Sequence, residues 1–438
     1  MSVLIHQLPP ATLVSRRTLT TLATLAIVAV ASSVLLWGPI VSLGAVVALV
    51  VIAALLTNAE LAVLTFVAVA PFEGYAKSIS ASAVKVLGAV VFAAWLLAAL
   101  RRERVRLAQP AVGCAIALLA VLLTSTLLHG NGPLGAEVAT RYGSYIAAFV
   151  VLVDCMAHRL PPRRVAQVYV TASTLAALAG LVAFFRHDLR AGGPVGDPND
   201  FAFFLLVALA LTMGLRRDEP RSRYVVAAIL LLLGIVATLS RGALVGLAAM
   251  FVLAAASRLI RTRVVFGTAA VVGAALVCVL VLDPTKLSTS LHAKGVVAAQ
   301  NVDERLIRWQ VAAEMTYDHP ILGLGPAGFR ENFDRYIDYR PTDLSHRLDV
   351  AHEMYLEVSS ELGLLGLGAF LGVMGLGAYS AARSARRGGP DVGLANSVWL
   401  ATAGAAVAAV FLTEQYYLPL WLLAALGISL PSHQQDGG

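Results

Sequence analysis

The chain has 438 residues, 58% of them hydrophobic and 13% charged, where an ordinary soluble domain is about 25% charged. Its mean hydropathy is +0.79 and its apolar residues gather in blocks of about 15 to 25, the length that spans a bilayer, which excludes a soluble globular protein, a disordered chain and a collagen-like fibre. The net charge of +7 comes from arginines clustered between apolar blocks, the pattern of membrane topology rather than of a basic binding face, so no nucleic-acid partner is expected.

In chain order the apolar blocks fall near residues 20–38, 40–57, 60–72, 83–100, 111–128, 142–157, 165–185, 200–215, 224–239, 242–257, 264–282, 353–381, 395–412 and 415–430. They predict an all-α polytopic membrane protein of about 12–14 transmembrane helices with one large extracytoplasmic, partly helical loop. The first three blocks are short and closely spaced, and fit either full spans or re-entrant, half-length helices. The run after Arg16 and Arg17 reads as an uncleaved first helix rather than a cleaved signal peptide, because further spans follow at once. Cys114, Cys155 and Cys278 all lie in apolar blocks without a pairing pattern and read as packing residues.

Charge sets the expected orientation. The connections beginning at Arg16, Arg101, Arg159, Arg216, Arg258 and Arg383 hold 19 of the 33 Lys and Arg, and all six fall on one side. Of the remaining 14, eight lie in one long segment, and long segments translocate with little regard to charge. Both termini are therefore expected in the cytoplasm of a multi-pass cytoplasmic-membrane protein. The expected divisions are N-terminal spans at 1–190, core spans at 191–282, an extracytoplasmic loop domain at 283–352, C-terminal spans at 353–430 and a tail at 431–438.

A structureless loop as long as 283–352 would be unusual, so the segment should carry function. Within it Asp303 is suited to N-cap a helix running to Tyr317, with Ile307 and Val311 on one side and Arg305, Trp309 and Ala312 on the other. His319-Pro320 ends that helix. Gly323, Gly325 and Gly328 spell the spacing of a dinucleotide-binding loop, but that motif needs a strand before and a helix after it, so a tight turn is expected instead. The chain contains no Walker loop, Cys-x-x-Cys pair, His-Glu-x-x-His or Gly-x-Ser-x-Gly, which removes the usual support for nucleotide hydrolysis, a zinc site or an esterase elbow.

The informative residues are cations and one histidine on the side where topology gives no reason for positive charge. Arg241 lies in Leu239-Ser240-Arg241-Gly242-Ala243, a connection so short that its guanidinium must sit at the interface or in a cavity. It reads either as a snorkelling anchor or as a fork for a phosphate or diphosphate. Arg305 has the same two readings, with Arg308 as its neighbour. Arg141 just before a span, and Arg186 and Arg190 just after one, read as interfacial anchors or as part of the same cavity. His352 precedes Glu353, Glu357 and Glu361, whose four-residue spacing places them on one helix face. Acids near a helix N-terminus are favourable, which accounts for Glu353 and Glu357; Glu361, two turns in, is costly to bury and points to a polar interior. His352 reads either as a polar boundary residue or as a base suited to take a proton from a hydroxyl at neutral pH. Asp197-Pro198-Asn199-Asp200 is sufficient as a turn and cap, with Asn199 as a further cavity residue.

Taken in order, Gly196-Asp197-Pro198-Asn199-Asp200, Ser240-Arg241-Gly242-Ala243, Arg305 with Trp309, His319-Pro320-Ile321-Leu322-Gly323-Leu324-Gly325, and Ala351-His352-Glu353-Met354-Tyr355-Leu356 followed by Glu361-Leu362-Gly363 resemble the O-antigen ligase and polymerase superfamily of bacterial membrane glycosyltransferases. The resemblance covers roughly residues 190 to 380. It departs at Glu353, where the family commonly has Asn after the histidine. The resemblance implies an inverting transfer from a polyprenyl-diphosphate-linked glycan to a hydroxyl of a glycan, lipid or protein acceptor at the outer face of the cytoplasmic membrane, without a metal or cofactor. It assigns the diphosphate to Arg241 and Arg305, with Arg308 and Arg186 beside them. It assigns the base to His352, oriented by Glu361 or Glu353, in a cavity with Asn199, Arg141 and Trp309. The alternative is a secondary transporter or flippase of a cell-envelope precursor, which would use Arg241 and Glu361 in a substrate pathway; the internal symmetry common in transporters is not visible in the sequence.

Overall fold

A computed structural model describes residues 39–80, 82–101, 105, 107–186, 189–259, scattered positions between 267 and 277, 305–337 and 350–433. The expected span at 20–38, most of that at 264–282, the Asp303 cap and Cys278 lie outside the described residues. The chain forms two compact units, 1–58 and 59–438. In the first, the described part is helix α1 (Pro39–Thr57), apolar throughout.

The second unit is all-α, with no strand among the described residues. Helix α2 (Ala59–Val69) continues through a 3-10 turn at Ala70–Phe72 into α3 (Glu73–Ile79). Then come α4 (Ala83–Leu100), α5 (Pro110–His129), α6 (Gly132–His158), α7 (Pro162–Arg186), α8 (Pro198–Asp218), α9 (Ser222–Thr238) and α10 (Arg241–Ala256). Helix α11 covers 305–318, and α12 (Gly328–Tyr336), α13 (Met354–Arg387), α14 (Val392–Ala408) and α15 (Leu418–His433) complete the order. Among the described residues, eight helical segments are long and apolar enough to cross a membrane and four shorter apolar helices accompany them. This is a polytopic membrane protein. The sequence places Arg141 before a span, whereas α6 begins at Gly132 and holds Arg141 within the helix.

Helix α8 is the axis of the unit. It is apolar all round and buried from Phe201 to Leu211, as a helix enclosed by other helices must be. Its neighbours are α7, α9 and α14, while α13 packs on α5, α14 and α15. Without a hydrophobic drive between helices in lipid, close backbone approach at small residues supplies the contact. Gly246 meets Gly404 in this way, and a Cβ at Gly427 would overlap the Gly377 carbonyl.

One end of the bundle is tied by Asp218, whose carboxylate accepts from the N–H groups of Gly393 at 2.6 Å and Leu394 at 2.8 Å. This caps the N-terminus of α14. Beside it Arg163 reaches Asp391 at 3.4 Å and Glu219 at 3.8 Å.

At the other end α13 breaks. Gly363 has φ +67°, inside what is otherwise a helix, and the break opens backbone groups that need partners. The turn after α11 supplies them. Leu324 N–H donates to the Ser360 carbonyl at 2.8 Å, Gly325 N–H to Glu361 at 2.9 Å, and Leu364 N–H to the Pro320 carbonyl at 2.7 Å. Gly323, at φ +63°, lies so close to the Glu361 carbonyl that a Cβ would overlap it. The glycine run is thus a turn, as its context predicts, and its purpose is to wedge against the broken helix. Asn131 holds the same turn from α6, donating to Leu324 and Pro326 carbonyls at 2.8 and 2.9 Å. Beyond it, α11, α12 and Ala351 share a small core of Val311, Ala312, Met315, Leu324, Phe329 and Phe333. Ala312 therefore joins Val311 in the core instead of facing away from it.

Candidate functional site

Two groups of side chains adjoin one another, linked where the Tyr417 hydroxyl donates to Asp200 at 2.7 Å. The first is cationic. Asp197 caps α8, accepting from the N–H groups of Asn199 at 2.6 Å and Asp200 at 3.2 Å. Arg190 crosses from the preceding loop, donating through Nε to the Thr238 carbonyl at 2.9 Å and through Nη2 to Asn199 Oδ1 at 3.0 Å. Ala191 N–H adds a bond to the Ala237 carbonyl at 2.9 Å. The end of α9 is thereby fixed three residues before Arg241. Leu239 turns left-handed at φ +52°, Ser240 is extended, and Arg241 opens α10 with its side chain exposed.

Arg305 on α11 joins this group. Burial lowers its pKa from the usual arginine range, and the neighbouring charges of Arg308 and Arg241 lower it further while Asp197 opposes them. Arg305 thus lies within electrostatic reach of two further arginines and one carboxylate, an excess of positive charge that favours an anion. Trp309, next on the helix, sets its ring 6.4 Å from that of Phe411, and Phe411 packs against Gly242. Phe411 therefore sits between α11 and the start of α10. The structure thus brings Arg241, Arg305, Arg308, Trp309 and Asn199 together. Arg186 is exposed at the end of α7.

The second group is built from carboxylates. Thr413-Glu414-Gln415-Tyr416-Tyr417 form a strap between α14 and α15, and four of its five side chains donate to carboxylates, two of them the buried Glu357 and Glu361. Thr413 Oγ1 and Gln415 Nε2 reach Glu357 at 3.0 and 3.2 Å. Tyr416 Oη reaches Glu361 at 2.9 Å and Tyr417 Oη reaches Asp200 at 2.7 Å. Tyr142 packs against Tyr416 of the strap, its ring 4.9 Å from that of Tyr416. Arg141 lies 5.8 Å over the Tyr416 ring and 3.8 Å from the buried Glu73. The fifth strap residue differs: Glu414 is fully buried with both carboxylate oxygens unpartnered. Burial, reinforced by Asp200 and Asp197, pushes its pKa well above the usual carboxylate range.

His352 stands at the start of α13, half-buried and with a left-handed backbone at φ +55°. A non-glycine residue holds that conformation only where the surroundings impose it. The imposing contact is next to it: Ala351 N–H donates to Glu357 Oε2 at 2.8 Å. Glu353 is used differently, its side chain accepting from Leu356 N–H as the N-cap of α13. Burial raises its pKa above the ordinary value, and the Leu356 and Tyr355 N–H groups offset part of that. Sequence reasoning missed Glu357 as the anchor of the 351–353 turn and missed the whole 413–417 strap. Its visible signal is a polar run, Thr413-Glu414-Gln415, interrupting two apolar blocks.

Residues 226–371 match the family model described as O-antigen ligase. The match supports the O-antigen ligase superfamily, and the matched stretch holds Arg241, Arg305, the glycine turn, His352 and the break at Gly363. No curated protein gives a significant match to the chain. The match supports an O-antigen ligase or polymerase type of function in general.

Proposed function

We propose that the protein is a glycosyltransferase that moves or polymerises a glycan from a polyprenyl-diphosphate carrier onto an acceptor hydroxyl at the outer face of the cytoplasmic membrane. The observation that carries the reading is the convergence of Arg241 and Arg305, from segments more than sixty residues apart, around one capping carboxylate. Isolated interfacial anchors need no such convergence, whereas a diphosphate is well matched by planar guanidinium forks. The outer-face placement rests on the charge asymmetry of the connections.

In this mechanism Arg241 and Arg305 hold the diphosphate and stabilise the charge that develops as it departs. The acceptor oxygen forms a bond to the anomeric carbon while the bond from that carbon to the diphosphate oxygen breaks. The hydroxyl proton passes to the His352 imidazole. Attack opposite the leaving group inverts the anomeric centre. Glu357 acts on the base indirectly, by fixing the backbone at Ala351, and Glu361 is committed to the strap.

Mass spectrometry of carrier-linked glycans tests this in cells lacking the protein and complemented with wild type, Arg241→Ala or His352→Asn. Asn is chosen because it tolerates a left-handed backbone. Carrier-linked glycan should accumulate in the deletion and in both variants and clear with wild type. Long accumulated chains indicate a ligase and single repeat units a polymerase. Clearance by both variants at normal membrane levels sinks the assignment.

A further inference from the structure

A cavity opens beside the strap, between α3, α4 and α6. It has a volume of about 810 Å³ and is mainly apolar in lining. Its two ends differ. At the end nearer the strap stand Lys77, Lys85 and Arg141, with Glu73 and Glu137. Glu73 is buried and holds Lys77 at 2.6 Å and Arg141 at 3.8 Å, while Lys85 lies 3.9 Å from Glu137. Three cations over two carboxylates leave this rim one positive charge in excess. From there the lining turns apolar: Gly88, Ala89 and Phe92 on α4, and Ala147, Ala148 and Val151 on α6. The ten residues from Arg141 to Val151 extend about 15 Å along a helix, the depth of one leaflet of a hydrocarbon core about 30 Å thick. A cationic rim above an apolar shaft in a transmembrane bundle complements an amphiphile with an anionic head and a hydrocarbon chain.

The rim leads to the carboxylate group of the site rather than to the arginines. Arg141 lies over the Tyr416 ring, whose hydroxyl is on Glu361, and Glu73 and Lys77 are electrostatic neighbours of Asp200. We infer that this groove seats the acceptor, a lipid with an anionic headgroup, its chain between α4 and α6 and its head at Lys77, Lys85 and Arg141. The inference rests on the transferase reading and deepens it. A headgroup hydroxyl oxygen bonds to the anomeric carbon, the carbon bond to the carrier diphosphate breaks, and the hydroxyl proton goes to His352.

The groove can be filled without strain. Gly88 and Gly143 line it, and a Cβ on either meets open space. The test uses the full chain in phosphatidylcholine nanodiscs with photoactivatable phosphatidylglycerol, and photoactivatable phosphatidylcholine of the same chain length as control. The anionic probe should label residues 83–92 and 140–151 in preference to the control. Lys85→Gln should lower that preference about fivefold, and Gly88→Leu and Gly143→Leu should abolish labelling without loss of thermal stability. In cells, both Leu variants should accumulate carrier-linked glycan as the deletion does. Even labelling of all lipid-facing helices, or labelling indifferent to the Leu variants, overturns the lipid seat. Labelling lost with transfer intact overturns the acceptor role. A deletion that leaves carrier-linked glycan unchanged while the probe still labels the groove removes the transferase reading and leaves the lipid seat standing.

Discussion

The Tyr416 hydroxyl donates to Oε2 of Glu361 at 2.9 Å, inside a contact in which both residues are buried. The backbone carbonyl of Glu361 also accepts from Gly325 N–H at 2.9 Å, so this residue joins α13, the strap and the turn after α11 at one point. Tyr416→Phe removes one donor and leaves the carboxylate short of a partner, at a cost of about 1–3 kcal/mol. Thermal unfolding of the purified protein should show the loss. Because the penalty comes from the stranded carboxylate, Glu361→Gln in the Tyr416→Phe background should recover part of it, as a double-mutant cycle would show. Equal, additive losses would mean that the pair is not coupled.

The break at Gly363 makes a sharper contrast within one helix. Alanine there must adopt φ +67° and would overlap the Ile321 carbonyl, a combination worth about 1–3 kcal/mol from backbone strain alone. Gly368 lies five residues on, with nothing near its Cβ position, and alanine there should gain about 0.5–1 kcal/mol by stiffening the unfolded chain. Gly363→Ala is expected to lower the amount of folded protein in the membrane and Gly368→Ala to raise its thermal stability. If both glycines tolerate alanine equally, the 320–325 turn does not depend on the break.

These two features show what the sequence discloses and what it withholds. Apolar blocks and arginine clusters mark the spans because hydrophobic length is a local property. The arginine pair at 241 and 305 stands out because its positive charge lacks a topological reason. Partners are a different matter: Glu361 two turns into an apolar helix signals a polar interior, but only the fold shows that the Tyr416 hydroxyl fills it. The same limit hid Glu357, which reads as an ordinary first-turn acid until Ala351 is seen on its carboxylate. It also hid the break, since Gly363 is one of several glycines in its helix and only its neighbour Ile321 distinguishes it.

Glu414 gives a prediction in pH. Its pKa is raised in the folded protein, first by burial and then by Asp200 and Asp197, so the folded state binds its proton more tightly than the unfolded state does. The stabilisation is fully present below the unfolded value, about 4.3, and is lost as pH rises through the folded value. Glu414→Gln removes the titration. The variant should therefore melt higher than wild type at about pH 8, with the difference shrinking toward about pH 5. A difference that stays constant across that range would show that Glu414 does not titrate within it.

Arg190 connects the cationic group to the fold without belonging to the arginines assigned to the diphosphate. Its Nε bond to Thr238 and Nη2 bond to Asn199 use the guanidinium as a two-pronged brace, and Thr238 precedes Arg241 by one short turn. Lysine preserves the charge but offers a point donor that cannot span both acceptors. If Arg190 works by position, Arg190→Lys should weaken transfer nearly as much as Arg190→Ala, by about tenfold for the loss of one charged hydrogen bond, and the loss should appear in the KM for the carrier-linked donor. Asn199→Ala removes one prong and should cost less. Full activity of Arg190→Lys beside an inactive Arg190→Ala would show instead that charge alone matters, which would move Arg190 from brace to anion ligand.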